Sequence, residues 1–228
     1  MKLKKTIILL LPISLLIIMV ACRGGGTTEG HHQEGVISSE PKVKPIEQQN
    51  NDTLKMHNKQ SSLFDNFAHK DIVILEQPYE PGETTKAELE QVIEAYLGVK
   101  NALFKDDIAG TDKAVGKMSK KVAAVIPNKM DGKGLDAWHS HKVLYETKLN
   151  EMLHVKGLEN KRSYFSHISE IMYCTIKSFG LKQGKLFAIF CPEAFDGKGA
   201  YWISDSRTIQ NPYLSSKMPT CGDVKEEL

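Results

Sequence analysis

The chain is poor in the residues and patterns that announce catalysis. It has two tryptophans and four cysteines in 228 residues, and aromatic residues make up only 7%. It has no Gly-x-Ser-x-Gly elbow, no His-Glu-x-x-His and no glycine-rich dinucleotide fingerprint. Gly180 to Lys185 imitates a phosphate loop, but the spacing is wrong and Leu186 follows the lysine where Ser or Thr is needed. These gaps argue against an enzyme. A charge excess is missing as well: 30 Lys and Arg stand against 28 Asp and Glu, and loss of Lys2, Lys4 and Lys5 with a leader would leave 27 against 28. Near neutrality speaks against nucleic acid as a partner.

Only one long apolar run occurs, and it is at the N-terminus. Met1 to Lys5 is basic, Thr6 to Val20 is almost purely apolar, and Ala21, Cys22 and a glycine run follow. This is the layout of an export signal. The run falls short of the ~20 residues a spanning helix prefers, and Pro12 interrupts it. Met19-Val20-Ala21-Cys22 resembles a lipobox, with Met19 standing where Leu, Val or Ile is commoner. The expectation is therefore a signal peptide over 1–21, cleavage before Cys22 and lipidation there, which anchors the protein on the periplasmic side of a bacterial membrane. Arg23 favours the outer membrane. Residues 22–62, rich in Gly, Thr, Ser, Gln and Asn, cannot bury a core and read as a flexible tether with a root-mean-square span of about 35–40 Å.

Residues 63–228 are the right size for one domain. Phe64 to Pro78 contains Asp-Ile-Val-Ile-Leu and suggests an extended segment laid along that domain. Thr85 with Glu88 has a capping-box pattern, and Leu89, Val92, Ile93, Tyr96, Leu97, Leu103 and Phe104 recur at helical spacing. Further stripes run through Ile108, Val115, Met118, Val122 and Val125, then Leu135, Trp138, His141, Tyr145, Leu149 and Met152, then Tyr164, Phe165, Ile168, Ile171, Met172, Thr175 and Phe179. Pro127 ends the second helix, and Gly180 is placed to cap the fourth. Leu186 to Cys191 and Gly199 to Ser204 read as a β-hairpin, followed by an irregular, proline-punctuated tail. The spacing thus predicts a mainly α fold, an antiparallel four-helix bundle with a small C-terminal β-hairpin.

Three cysteines remain in the domain. Cys174 sits beside the core stripe of the fourth helix, as a small buried hydrophobe would. Cys191 and Cys221 allow three readings. An oxidising envelope favours a disulfide, whose loop of roughly 30 residues would contribute about 3.5–4 kcal/mol. Two thiolates with the thioether of Met218 would suit Cu(I), a soft cation. Two unconnected buried thiols are the third reading.

The run Cys191-Pro-Glu-Ala-Phe-Asp-Gly-Lys-Gly-Ala-Tyr-Trp-Ile-Ser204, with Ile209-Gln-Asn-Pro-Tyr213 and Lys217-Met-Pro-Thr-Cys-Gly222, resembles the tail of the domain of unknown function 3347 family. Tyr96-Leu97, Lys100 to Leu103, Arg162, Phe165, Ile168 and Ser169 are similar to that family's pattern too. The resemblance implies an envelope domain, found alone or attached to adaptor subunits of heavy-metal efflux pumps, and hence copper or related transition-metal handling. It points to Cys191, Met218 and Cys221 as metal donors, while Glu193 stands where the family commonly has Met. An oxygen there would weaken Cu(I) and tolerate harder ions.

The alternative is a metal-free interaction module with a structural Cys191–Cys221 disulfide, docking another envelope protein or a periplasmic ligand through Tyr201, Trp202 and Tyr213. Among the histidines, His139 and His141 face nearly opposite sides of a helix, and His141 lies on a core stripe. His31, His32, His57 and His69 lie in or beside the tether, where they read as solvated linker. His167 flanks the core face of the fourth helix.

Overall fold

The structure, a computed structural model, describes residues 63–228; the leader, Cys22 and the tether lie outside the described residues. Four helices form the body: α1 (Glu83–Phe104), α2 (Ile108–Ala124), α3 (Gly132–His154) and α4 (Leu158–Phe179). Consecutive helices pack on one another across short connections, and α1 also touches α4. The stripes read from the sequence are the buried faces, apart from Ile108, which is exposed at the start of α2. Val115, Met118 and Val122 of α2, Trp138, Tyr145 and Leu149 of α3, and Phe165, Ile168 and Ile171 of α4 are all fully buried. Burying side chains of this size contributes roughly 1.5–3 kcal/mol each, which is why periodicity alone located the helices.

Helix ends follow local chemistry, with one departure from expectation. Asp107 caps α2 by accepting the Gly110 N–H at 2.8 Å, and Gly180 closes α4 in the left-handed conformation (φ 57°). Thr85 and Glu88 do not form a capping box: the residue before α1 is Gly82, with no side-chain cap. The Thr85 hydroxyl donates instead to the Ile126 carbonyl at 3.0 Å, and Glu88 accepts the Ile126 N–H at 2.8 Å. Both side chains tie the α2–α3 connection to α1, a long-range use that competes with the local one.

Before α1, Leu63–Asn66 makes a 3-10 turn and residues 67–82 run as an irregular strap along α4. Leu75 N–H donates to the Ser178 hydroxyl (3.1 Å) and Tyr79 N–H to the Ser178 carbonyl (2.8 Å). His141, buried on α3, meets the Val73 carbonyl with Nε2 at 2.6 Å, so it is a hydrogen-bonded core histidine. Burial lowers its pKa from 6.5 to about 4.

The C-terminal part is a three-stranded antiparallel sheet rather than a hairpin with an irregular end. β1 (Phe187–Cys191) lies between β2 (Ala200–Ser204) and β3 (Asp223–Glu227), and a one-turn helix α5 (Ala194–Gly197) joins β1 to β2. β1 pairs with β2 from Phe187↔Ser204 to Cys191↔Ala200, and with β3 through a bulge at Ala188/Ile189. β3 reads Asp-Val-Lys-Glu-Glu, with Asp223, Lys225 and Glu227 exposed. A charged edge strand carries little apolar signal: main-chain pairing holds it, helped by Glu226, which accepts from Tyr173 (2.7 Å) and Lys177 (2.8 Å) of α4. β2 packs on α4. There the Tyr96 hydroxyl accepts the Ile203 N–H (3.0 Å) and meets the Ser169 hydroxyl (2.8 Å), joining sheet, α1 and α4 at one buried point.

Candidate functional site

Cys191 ends β1, and Cys221 precedes β3. The two are joined in a disulfide with Cα atoms 5.6 Å apart, and Cys191 is fully buried. The bond closes the tail from β2 to β3 into a loop that is further shaped by Asn211. Its Oδ1 accepts the N–H groups of Tyr213 (2.8 Å) and Leu214 (2.9 Å), and its Nδ2 donates to the Cys221 carbonyl (2.8 Å). An Asn that organises its own turn in this way is a common device for fixing loops.

Arg162 of α4 reaches into that loop. Its Nε donates to the Pro212 carbonyl (2.8 Å), and its Nη2 reaches the Leu103 carbonyl (3.2 Å), the Ser215 hydroxyl (2.9 Å) and the Asp106 carboxylate (2.5 Å). Ser215 also donates to Asp106 at 2.6 Å. The Ser215 hydroxyl, with help from Arg162, holds the Asp106 carboxyl below the usual carboxylate range. One guanidinium thus ties α1, α4 and the tail together with charge-assisted bonds, the geometry for which Arg is suited and Lys is not.

Beside this knot opens a cleft of about 390 Å³, lined among others by Asp106, Arg162, Glu193, Phe195, Asp196 and Ser215. Six non-glycine residues among those described have positive φ, and four of them line the cleft: Asp106 (54°), Phe195 (54°), Asp196 (57°) and Ser215 (27°). Such conformations cost roughly 1–3 kcal/mol each and persist only where the surroundings over-determine them. The Phe195 ring is held against Tyr213 at 5.3 Å between centroids, and Gly199 (φ 76°) lets β2 begin under the Phe190 ring, where a Cβ would sit 2.3 Å from the ring edge.

The residues singled out from sequence are distributed unevenly about this cleft. Glu193 lines it, while Met218 is 44% exposed on the tail. The expectation of a docking surface at Tyr201, Trp202 and Tyr213 is corrected: all three are buried. Trp202 and Tyr213 pack edge to face, and the Tyr213 hydroxyl donates to the Tyr201 carbonyl, so these aromatics fill the space between sheet and α4. Copper ligation by Cys191, Cys221, Met218 and Glu193 does not fit the donor set as it stands, because sulfurs bonded to one another are not thiolates. No group of three or more His, Cys, Asp or Glu suited to a metal ion occurs among the described residues.

Sequence reasoning missed two features. The strained Phe195-Asp196 pair had a faint signal in the Asp-Gly-Lys-Gly turn that follows Phe195. His69 was read as linker, yet its Nδ1 lies 2.6 Å from the Glu170 carboxylate of α4. Nothing in the sequence nearby marks that contact.

Fold and cleft together define a disulfide-closed, mainly helical domain with a ligand-sized depression where its tail meets α4. Residues 92–184 match the model of a family described as protein of unknown function (DUF3347), which supports that domain family for the stretch from within α1 to just past α4. Arg162 lies inside the match, whereas Glu193 and the disulfide lie beyond it. No curated protein and no solved structure matches the chain.

Proposed function

We propose that the chain is an envelope lipoprotein, exported by residues 1–21, lipidated at Cys22 and held on the periplasmic face of a bacterial membrane. Its helical domain, on this reading, is a metal-free binding module. The ligand is a small polar solute taken up in the cleft beside Arg162. The observation that carries this reading is the gathering of four left-handed non-glycine residues around one depression, braced by Arg162 and the Cys191–Cys221 bond. Lys129 and Lys182, the other two such residues among those described, lie singly in other connections, so the strain is densest at the cleft, as in a pre-organised site.

The lining suggests the ligand's chemistry. Glu193 and Asp196 offer acceptors, Lys198 and Lys217 offer cationic donors, and Phe195 supplies an apolar face. A solute with charges of both signs suits that mixture better than a purely apolar one. The cleft volume is at the low end of the range typical of small-molecule sites. A copper-handling role would need the disulfide reduced first, and no geometry of the closed loop favours it.

The test has two arms. Incorporation of a labelled fatty acid into the wild-type chain and its loss in Cys22→Ser would support the anchor; equal labelling of both would remove it. For the cleft, thermal stabilisation by a panel of zwitterionic solutes is compared between wild type and a Glu193→Gln/Lys198→Ala double variant. Stabilisation of wild type that is weakened at least fivefold in the variant is expected. Equal stabilisation of both, or of neither, would sink the binding assignment.

A further inference from the structure

We propose that the stacked imidazoles of His69 and His167, together with the Glu170 carboxylate, form an acid-sensitive latch that detaches residues 63–71 from α4. The contact is built from both chains of groups. Glu170, almost fully buried, accepts the N–H of Ala68 (2.9 Å) and the N–H of His69 (3.1 Å), and also meets His69 Nδ1 (2.6 Å). The His69 and His167 rings lie face to face, 3.4 Å between centroids and 3° from parallel. His167 is 7% exposed, and its buried Nε2 has no hydrogen-bond partner among the described residues.

A carboxylate in this position satisfies one cation. Glu170 is already engaged by His69, so a positive charge on the His167 ring stacked against it finds no hydrogen-bonded counter-charge of its own. The other groups around His167 do not change this. From α3 come Lys148 and Glu151, which pair with each other at 2.8 Å; from the strap comes Asp71, which is exposed. Burial first, then His69 and Lys148, lower the pKa of His167 from 6.5 to about 4, against weaker opposite effects of Asp71 and Glu151. Detachment removes His69 and part of the burial, so the imidazole's affinity for a proton rises toward its ordinary value. Between those two values acid therefore favours the detached form, by at most a factor of about 30 at pH 5.

The detached stretch is bounded. Beyond Asp71 the strap is held by His141 at the Val73 carbonyl and by Ser178 at Leu75 and Tyr79. The stretch begins at Leu63, the first described residue. Phe67, which packs on Tyr173 (5.0 Å) and Tyr201 (5.3 Å), would leave with it, so acid uncovers an aromatic surface on α4 and β2.

Amide hydrogen exchange on the full chain in detergent micelles, corrected for intrinsic rates, tests the latch at pH 7.5 and pH 5. Protection of the Ala68 and His69 amides is expected to fall at least tenfold in wild type while core amides of α1 change less than twofold. In His167→Phe, which keeps a flat ring but cannot take a proton, the two amides should change less than twofold. His167→Gln, expected to behave alike, covers the case in which the phenyl ring does not fit. Unchanged protection in wild type, or an equal fall in either variant, would overturn the proposal.

Discussion

Replacing both Cys191 and Cys221 by Ala probes what closes the tail. The two residues are 30 apart in sequence, and a cross-link of that span removes about 12 cal/mol/K from the unfolded chain, or roughly 3.6 kcal/mol at 25 °C. For a domain of this size that corresponds to a fall in Tm of about 7–14 °C. Loss of the buried Cys191 sulfur adds to it, while Cys221 is only partly buried. The assay is urea unfolding of the full chain followed by tryptophan fluorescence. Its only two tryptophans, Trp138 and Trp202, are both fully buried in the domain, so the signal reports the domain alone. Reduction of the wild type should reproduce most of the loss without any change of side chain. A loss below about 1 kcal/mol in both experiments would refute the reasoning, for it would mean that Arg162 and Asn211 already hold the loop without the bond.

Two further expectations concern acid and copper. His141 titrates near 4 in the folded domain and near 6.5 when unfolded, so the unfolded chain binds more protons between those values. The stability contributed by neutral His141 is complete above pH 6.5 and falls as the pH drops toward 4, by about 2 kcal/mol at pH 5; unfolding of His141→Gln at pH 7 and pH 5 should lack that increment. Under non-reducing conditions, Cu(I) uptake by the wild type should not exceed that of Cys221→Ser by more than twofold in a competition titration; a clear excess with the bond intact would restore the metal reading.

What was legible in the sequence was what burial dictates. The stripes through Val115, Trp138 and Phe165 had to face inward, and Gly180 had to sit where a left-handed residue ends a helix. Thr85 and Glu88 misled because the same groups serve either a local cap or a distant loop, and only packing decides which. β3 was hidden because its side chains carry charge while its main chain makes the ladder. Tyr201, Trp202 and Tyr213 looked like a surface because aromatics near turns serve interfaces and satellite cores alike. The cleft was least visible of all: Arg162, Asp106 and Ser215 are far apart in the chain, and of the backbone angles that mark the site only the Asp-Gly-Lys-Gly turn after Phe195 gives a faint sign.

β3 is one of the two edge strands of the sheet, β2 being the other, and its side chains bear on how crowded molecules behave toward one another. A strand from a neighbour that tried to extend the ladder there would have to lay its own side chains beside Asp223, Lys225 and Glu227. Those charges disfavour edge-to-edge pairing between molecules, so neutral replacements at the three positions would raise the tendency to associate through this strand.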